Sequence, residues 1–300
     1  MSDSTALIRA PQAELDPADR TADLRPYRVP VPGRTWRSAA RFAVLVGGSA
    51  AIGIGVATGG ITVAAAALLA VTLATGQVLA QTWRQNRLGQ AVVGGISLGD
   101  LDLAQAAAER ALVESPAGVM RTLAASNLAS VLIQRDRVDE AAVILDKYPP
   151  GILHMPLATV LWLNNRAFAH LASVNPEGAD AASPLLDEAE RRLHKASARD
   201  LGGPQNSKKL VAAVAGTRAI ERIAHKDGKA ALAHLDRARH VDDGPSTAYR
   251  TVERELCRAE ALRLTGRADE ATLAIGALTD TLMTERQKER MRALAAKLGL

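Results

Sequence analysis

The sequence predicts an all-α protein in which a transmembrane helical hairpin is followed by an α-solenoid. Three observations predict this fold class. The 42 residues between Arg41 and Arg84 include no charged side chain. After Arg84, apolar residues recur with a period near 3.6, which is typical of amphipathic helices. Within that second part, the triplet Asp-Glu-Ala occurs three times at the expected start of a helix.

The uncharged stretch is long enough to cross a membrane twice. The hydrocarbon core of a bilayer is about 30 Å thick and takes roughly 20 apolar residues as a helix. We therefore expect transmembrane helices at about residues 38–58 and 61–82, within a membrane segment 38–83, joined by a bend at Gly59-Gly60. The polar, proline-rich residues 1–37 are expected to form a disordered arm.

Basic residues on both sides of the uncharged stretch predict its orientation. Lys and Arg near a span tend to stay on the cytoplasmic side, so we expect both flanks, and the solenoid, in the cytoplasm. This makes the chain a multi-pass protein of the cytoplasmic membrane. A single tilted span with an exported C-terminal domain is the alternative, because the N-terminal flank is the more basic. The residues expected at the membrane interface are Trp36, Arg37, Arg41, Trp83 and Arg84.

The second part of the chain contains an internal repeat. Its triplets are Asp139-Glu140-Ala141, Asp187-Glu188-Ala189 and Asp269-Glu270-Ala271. In each triplet the two acids would occupy the first turn of a short helix, where the helix dipole favours negative charge. Longer predicted helices precede the short ones, so the repeating unit is a helix pair. Residues 84–98 are expected to link the hairpin to this solenoid, which covers residues 99–300.

These helix pairs resemble the tetratricopeptide repeat (TPR). Ala129 and Ala259 stand twelve residues before the alanines of the first and last triplets, like the small residues at the eighth and twentieth positions of that family. The resemblance covers roughly residues 99–282 and implies about five TPR-like helix pairs, with residues 172–183 inserted between two paired helices. A charged helix at about residues 284–298 is expected to cap the solenoid.

The residue patterns favour a protein without catalytic activity. None of the six histidines belongs to an HExxH motif or to an i, i+4 pair, a spacing that helical zinc sites use. Cys257 is the only cysteine, which excludes an intrachain disulfide and a cysteine-rich zinc site. A buried structural role is expected for it. We therefore predict no catalytic residue, no cofactor and no metal site.

Nucleic acid is not an expected partner. The net charge of +5 is concentrated around the uncharged stretch, and only 3% of the residues are aromatic. Proteins that bind single strands need aromatic side chains on which bases stack. A nucleic-acid surface also gathers Lys and Arg on one face, and the solenoid sequence shows no such excess.

Two sets of residues are candidates for binding a partner. Arg218, Arg222 and Lys226 follow an i, i+4, i+8 spacing, which would form a basic stripe for an acidic peptide or anionic headgroups. A solvated helix face is the alternative. Asn127 and Asn165 stand two residues before a small residue of a longer helix. The TPR resemblance implies that an asparagine there faces the groove and holds a ligand's backbone; ordinary exposure is the alternative.

Together these patterns predict a membrane-anchored scaffold or adaptor. The hairpin would contact the lipid bilayer, and the solenoid would bind a protein or peptide, as the TPR resemblance implies. A different class of function is a membrane-active hairpin that oligomerises through its glycine-rich faces under the control of the solenoid. A third is an enzyme of unrecognised type, which would require a polar cluster inside the solenoid.

Overall fold

The computed structural model describes residues 63–115, 118–151, 155–172, 177–241, 248–279 and 281–300. All regular elements within these ranges are helices, and none of these residues lies in a strand. The all-α class is therefore confirmed for the described part of the chain. The predicted arm and the first predicted span, residues 38–58, lie outside it.

Eleven helices follow one another along the described chain. They form five pairs, from α1/α2 to α9/α10, and a final helix α11; paired helices contact each other, and the first helices of successive pairs also contact. The described helices therefore form a helical repeat-like arrangement, in which four complete pairs and α2 fall within the predicted range 99–282. In chain order the helices are α1 (Val63–Leu98), α2 (Leu101–Glu114), α3 (Val119–Gln134), α4 (Val138–Lys147), α5 (Pro156–Ala172), α6 (Gly178–Lys195), α7 (Pro204–Ala224), α8 (Gly228–Val241), α9 (Ala248–Leu264), α10 (Ala268–Gly276) and α11 (Glu285–Leu298).

Helix α1 joins the predicted second span to the solenoid without a break. It begins at Val63, within the span expected at residues 61–82, and continues to Leu98. Residues 84–98, expected as a linker, therefore make the connection as a helix that packs on α2. Among the residues that the structure describes, no helix combines the length and the apolar character needed to cross a membrane.

The alanines predicted at the helix crossings are all fully buried. A side chain of one methyl group allows two helix backbones to approach closely, and a larger one would separate them. Ala231 of α8 is 0% exposed, and so is each of these five alanines: Ala129, Ala141, Ala189, Ala259 and Ala271. The repeat spacing therefore identified the contacts between paired helices correctly.

One triplet does not begin its helix. Asp139 and Asp269 lie in the first turns of α4 and α10, as expected. Asp187, however, lies in the middle of α6, which begins at Gly178. Much of the segment 172–183, predicted as an insertion between helices, is therefore an N-terminal extension of α6. This correction matters for the site, because it leaves the Asp187 carboxylate facing a neighbouring helix.

Three turns between paired helices share one backbone geometry. Asp136, Lys226 and Gly266 have φ values of 59°, 61° and 78°, in the left-handed region. The N–H of the following residue bonds a carbonyl five positions earlier, which ends the helix in a Schellman motif. These bonds are all 2.9 Å long: Arg137 to Leu132, Asp227 to Arg222, and Arg267 to Leu262. Glycine adopts this conformation without strain, whereas Asp and Lys do so at some cost.

The solenoid curls until its last helices meet its second pair. Tyr249 of α9 packs against the hydrophobic cluster formed mainly by α1 to α4. The α3–α4 turn in addition contacts the start of α11, where the Thr284 hydroxyl donates to the Asp136 carboxylate at 3.0 Å. The first helices of the pairs therefore surround an interior space rather than an open groove.

Helices α8 and α9 approach each other closely at Gly228, which allows a test of the packing. A Cβ added to Gly228 would lie 2.6 Å from the Ala261 carbonyl oxygen and 2.8 Å from the Leu264 Cβ. We expect Gly228→Ala to lower the free energy of unfolding by about 1–3 kcal/mol, because α8 and α9 must separate. Gly216→Ala in α7 is the matched control: its Cβ would meet nothing within 4 Å, so helix propensity should raise stability by about 0.5–1 kcal/mol. Urea denaturation measures both values, and equal effects would contradict the close crossing.

Candidate interaction cavity

The first helices of the second to fifth pairs line a cavity of about 110 Å³. Helices α3, α5, α7 and α9 each contribute side chains to it, and α8 contributes Leu235. Its apolar surface comes from residues such as Ile133, Phe168 and Ile220. The cavity is partly open to solvent, so a group from outside can reach its walls.

The first helices of three successive pairs each bring one residue to the cavity from the same repeat position. Asn165, Thr217 and Cys257 each line it, and each stands two residues before a fully buried alanine of its helix. Asn127 holds the corresponding position in α3, where it is half-buried and is not part of the lining. The structure therefore brings Asn165, but not Asn127, to the concave surface. Their role in holding a ligand stays a prediction.

The Asn165 amide nitrogen already has partners within the fold. It donates to the Ser126 carbonyl oxygen at 2.8 Å and to the Ser130 hydroxyl oxygen at 2.9 Å. Both acceptors belong to α3, so this side chain holds α5 against α3. Because Asn165 is only 5% exposed, its first effect on the protein is structural.

The neighbouring Asn164 presents the more unusual group. It is 7% exposed and lines the cavity, and its Oδ1 has no hydrogen-bond partner among the residues that the structure describes. A buried polar atom left without a partner costs about 1–3 kcal/mol. A donor entering the cavity would remove that cost. Sequence reasoning missed Asn164, because the TPR resemblance singled out only the adjacent position.

Helix α9 makes the charged wall of the cavity. Arg250, Glu253 and Arg254 all line it. Glu253 is 7% exposed, and its carboxylate accepts hydrogen bonds from Arg290 at 2.6 Å and from Arg286 at 3.4 Å, both in α11. Arg250 and Arg254 also have interactions of their own within the fold, so this wall carries charged groups of both signs. The i, i+4 spacing of the two arginines was visible in the sequence, but nothing indicated which face of α9 would be concave.

The predicted basic stripe does not form as one exposed surface. Arg218 is 1% exposed, and its guanidinium donates to Asp187 at 2.5 Å and to Glu190 at 3.1 Å, both in α6. Burial lowers the pKa of Arg218, but the hydrogen bonds and charges of Glu190 and Asp187 outweigh it, so the net pKa is raised. Arg222 is partly exposed and Lys226 is exposed at the αL turn. A binding role for Arg222 and Lys226 stays a prediction; Arg218 instead joins α7 to α6.

Cys257 is buried, as expected for a structural residue, at 1% exposure. Burial raises the pKa of its thiol to about 11, which leaves little reactive thiolate at neutral pH. The Arg290 guanidinium donates to its Sγ at 3.3 Å. The described residues contain no cluster of His, Cys, Asp or Glu that is suited to a metal ion.

Two of the five residues expected at the membrane interface fall in the described part of α1. Trp83 is 61% exposed, and Arg84 is exposed beside it. The guanidinium of Arg87 lies over the Trp83 ring, 4.9 Å from its centre, within the range of a cation–π contact. Trp36, Arg37 and Arg41 lie outside the described residues.

Comparison with known proteins gives one structural likeness. No protein-family model matches the chain, and no curated protein matches its sequence. A crystal structure of a tetratricopeptide repeat protein from Parabacteroides merdae is similar at 15% identity, over 72% of this chain and 93% of that one, with a TM-score of 0.31. A TM-score below 0.5 does not establish a shared fold.

The two adjacent asparagines allow a matched test of the cavity. Asn164→Leu should raise the free energy of unfolding by about 1 kcal/mol, because it removes a buried acceptor that has no donor. Asn165→Leu makes the same chemical change one residue later and should lower it by about 1–3 kcal/mol, because Ser126 and Ser130 lose their donor. Both values come from urea denaturation. A loss of stability in both variants would show that the Asn164 oxygen is satisfied within the fold.

Proposed function

We propose that this chain is a membrane-anchored scaffold whose solenoid binds a segment of a partner protein at its concave face. The observation that carries the proposal is Asn164, which lines the cavity and whose buried Oδ1 has no hydrogen-bond partner among the described residues. A backbone N–H of a bound segment would supply a donor. Stacked helix pairs that leave a concave surface are a common means of binding extended partners.

The chemistry of the cavity walls favours a particular kind of segment. Phe168 and Ile220 offer an apolar surface to an aliphatic or aromatic side chain. Arg250 and Arg254 line the same cavity from α9, and their guanidinium groups would interact favourably with acidic side chains next to that apolar residue. We therefore propose an acidic segment with one apolar anchor, of the kind that usually contributes most of the free energy of binding.

The membrane anchor is proposed from the uncharged stretch and from the helix that follows it. Helix α1 runs from Val63 to Leu98 without interruption, so a span within its first half would hold the solenoid directly against the bilayer. Trp83 is exposed where the uncharged stretch ends, and an exposed indole is favoured at a membrane interface. Basic residues on both flanks favour a solenoid on the cytoplasmic side.

Site-specific photocrosslinking in cells tests the binding face. A photoreactive amino acid replaces Arg254 in the cavity wall or, as a control, Leu273, which is 74% exposed on α10 and is not part of the cavity lining. We expect a discrete crosslinked protein from position 254 that is absent from position 273. The same products from both positions, or no product from position 254, would contradict the proposal.

A charge reversal then tests the proposed chemistry of the partner. Arg254→Glu should weaken binding of the crosslinked partner at least about tenfold, a change of about 1.4 kcal/mol, because it places a negative charge against an acidic segment. Arg258→Glu reverses a charge one turn further along α9, outside the cavity lining, and should leave the dissociation constant unchanged. Equal effects of the two reversals would show that the cavity is not the binding site.

Reporter fusions test the proposed topology. A reporter that is active only in the cytoplasm should be active when fused after Leu300 of the full chain, and the protein should sediment with membranes until detergent is added. Activity of a reporter that requires export would overturn the cytoplasmic orientation. Recovery of the chain in the soluble fraction without detergent would overturn the anchor itself.

A further inference from the structure

The α3–α4 turn holds the start of α11, although about 150 residues separate them in sequence. The Asp136 carboxylate accepts a hydrogen bond from the Thr284 hydroxyl at 3.0 Å and another from the backbone N–H of Arg286 at 3.0 Å. These groups belong to the N-cap and the second residue of α11. An anion at a helix N-terminus is stabilised by free N–H groups and by the helix dipole. Asp136 therefore completes the cap of a helix from another part of the chain.

Arg286 extends this contact to two residues of the cavity lining. Its guanidinium donates to the Tyr249 hydroxyl at 2.6 Å and lies over the Phe168 ring, 5.2 Å from its centre. It also pairs with Asp136, with Nε 3.4 Å from Oδ1. Phe168 and Tyr249 line the cavity from α5 and α9. One side chain of α11 therefore connects two walls of the cavity and the α3–α4 turn.

We call the residues of this contact the latch: Asp136, Phe168, Tyr249, Thr284 and Arg286. On its other side α11 is fixed to α9, because Arg290 bonds Glu253 and Cys257 and Leu294 is 1% exposed against the last helix pair. Helices α9 and α11 are therefore joined as one packed unit. The latch joins that unit to the second and third helix pairs.

The cavity is too small, as it stands, for a segment of several residues. Its volume is about 110 Å³, whereas sites that hold drug-sized ligands measure about 300–1,000 Å³. The cavity is partly open to solvent, so a single side chain can enter it as it stands. A longer segment would need a wider space between the wall formed by α9 and the wall formed by α3 and α5.

We infer that the latch is a gate: it holds the solenoid in a closed conformation, and its release opens the cavity to the partner segment. The gating of binding rests on the function proposed above, whereas the closed conformation rests on the latch contacts alone. A ligand that binds only the open form has its apparent affinity reduced by the fraction of molecules that are open. Loosening the latch should therefore increase the affinity for the partner without changing any residue that touches it.

The turn geometry supplies a variant that loosens the latch without straining the fold. Asp136 has a left-handed φ of 59°, and the equivalent residue of the α9–α10 turn is Gly266. Asp136→Gly removes the carboxylate from α11 while making the turn itself easier to form. Lys226→Gly is the matched control. It removes the same backbone strain at the equivalent position of the α7–α8 turn, where the side chain is exposed.

The single cysteine reports on opening. Cys257 lines the cavity, is 1% exposed and is the only thiol in the chain. Its rate of alkylation by N-ethylmaleimide, measured by mass spectrometry on the full-length protein, should rise at least about tenfold in Asp136→Gly and stay unchanged in Lys226→Gly. An unchanged rate in a folded Asp136→Gly variant would overturn the latch.

Hydrogen exchange separates opening from unfolding. In Asp136→Gly the amide of Arg286 should exchange faster, while the amides of α3 stay protected as in the unaltered chain. Faster exchange throughout α3 would mean that the variant has unfolded locally and would count against a gate.

Measuring the affinity for the partner distinguishes the closed conformation from the gating of binding. If alkylation rises and the protein crosslinked at position 254 binds Asp136→Gly at least about threefold more tightly, the gate is supported. If alkylation rises but that affinity is unchanged, the closed conformation stands and the gating of binding is wrong. If no protein is crosslinked, the proposed function fails, and the alkylation rates alone still decide whether the latch exists.

Discussion

The structure depends on the close approach of paired helices at alanine. Six crossing alanines are fully buried, and at Gly228 even a methyl group would overlap the neighbouring backbone. Because aromatic residues are only 3% of the chain, large side chains cannot fill wide gaps between helices. The pairs must therefore pack tightly, and Tyr249 of the fifth pair lies against the cluster that includes the second pair.

Because the solenoid curls back on itself, its concave face is a cavity and not a long groove. An open solenoid would offer a long groove, whereas here α11 closes the ring through Asp136 and Arg286. The cavity that results is lined by two arginines of α9 and by Asn164, whose Oδ1 has no hydrogen-bond partner among the described residues. These groups would interact with a partner segment, and the latch would control access to them. Binding would require α9 to move away from α3 and α5, whereas the latch holds α9 in place.

The sequence predicted the features that depend on local spacing and missed those that depend on the path of the chain. The buried alanines and the charged last helix both follow from patterns within about forty residues. The latch joins residues about 150 positions apart, and no local pattern contains that information. The repeat position of Asn165 predicted that it faces the concave surface. Only the structure shows that its amide nitrogen already donates a hydrogen bond to α3.

Arg218 was expected in an exposed basic stripe but is buried. Its i, i+4, i+8 relation to Arg222 and Lys226 suggested an exposed face. In the structure, the extension of α6 by the segment expected as an insertion places Asp187 and Glu190 beside it. A buried guanidinium is tolerated when carboxylates pair with it, and the sequence offered those carboxylates without showing which helix they would face.

A distance between spin labels on Asp139→Cys in α4 and Glu289→Cys in α11 tests the closed solenoid most directly. Both positions are exposed, and Cys257→Ala removes the native thiol from the full-length protein. Helices of about 10–12 Å diameter that meet at the latch place the two labels within about 25 Å of each other, so a narrow distribution below that value is predicted. A broad distribution centred well beyond it would show that the ring is open and would contradict the account.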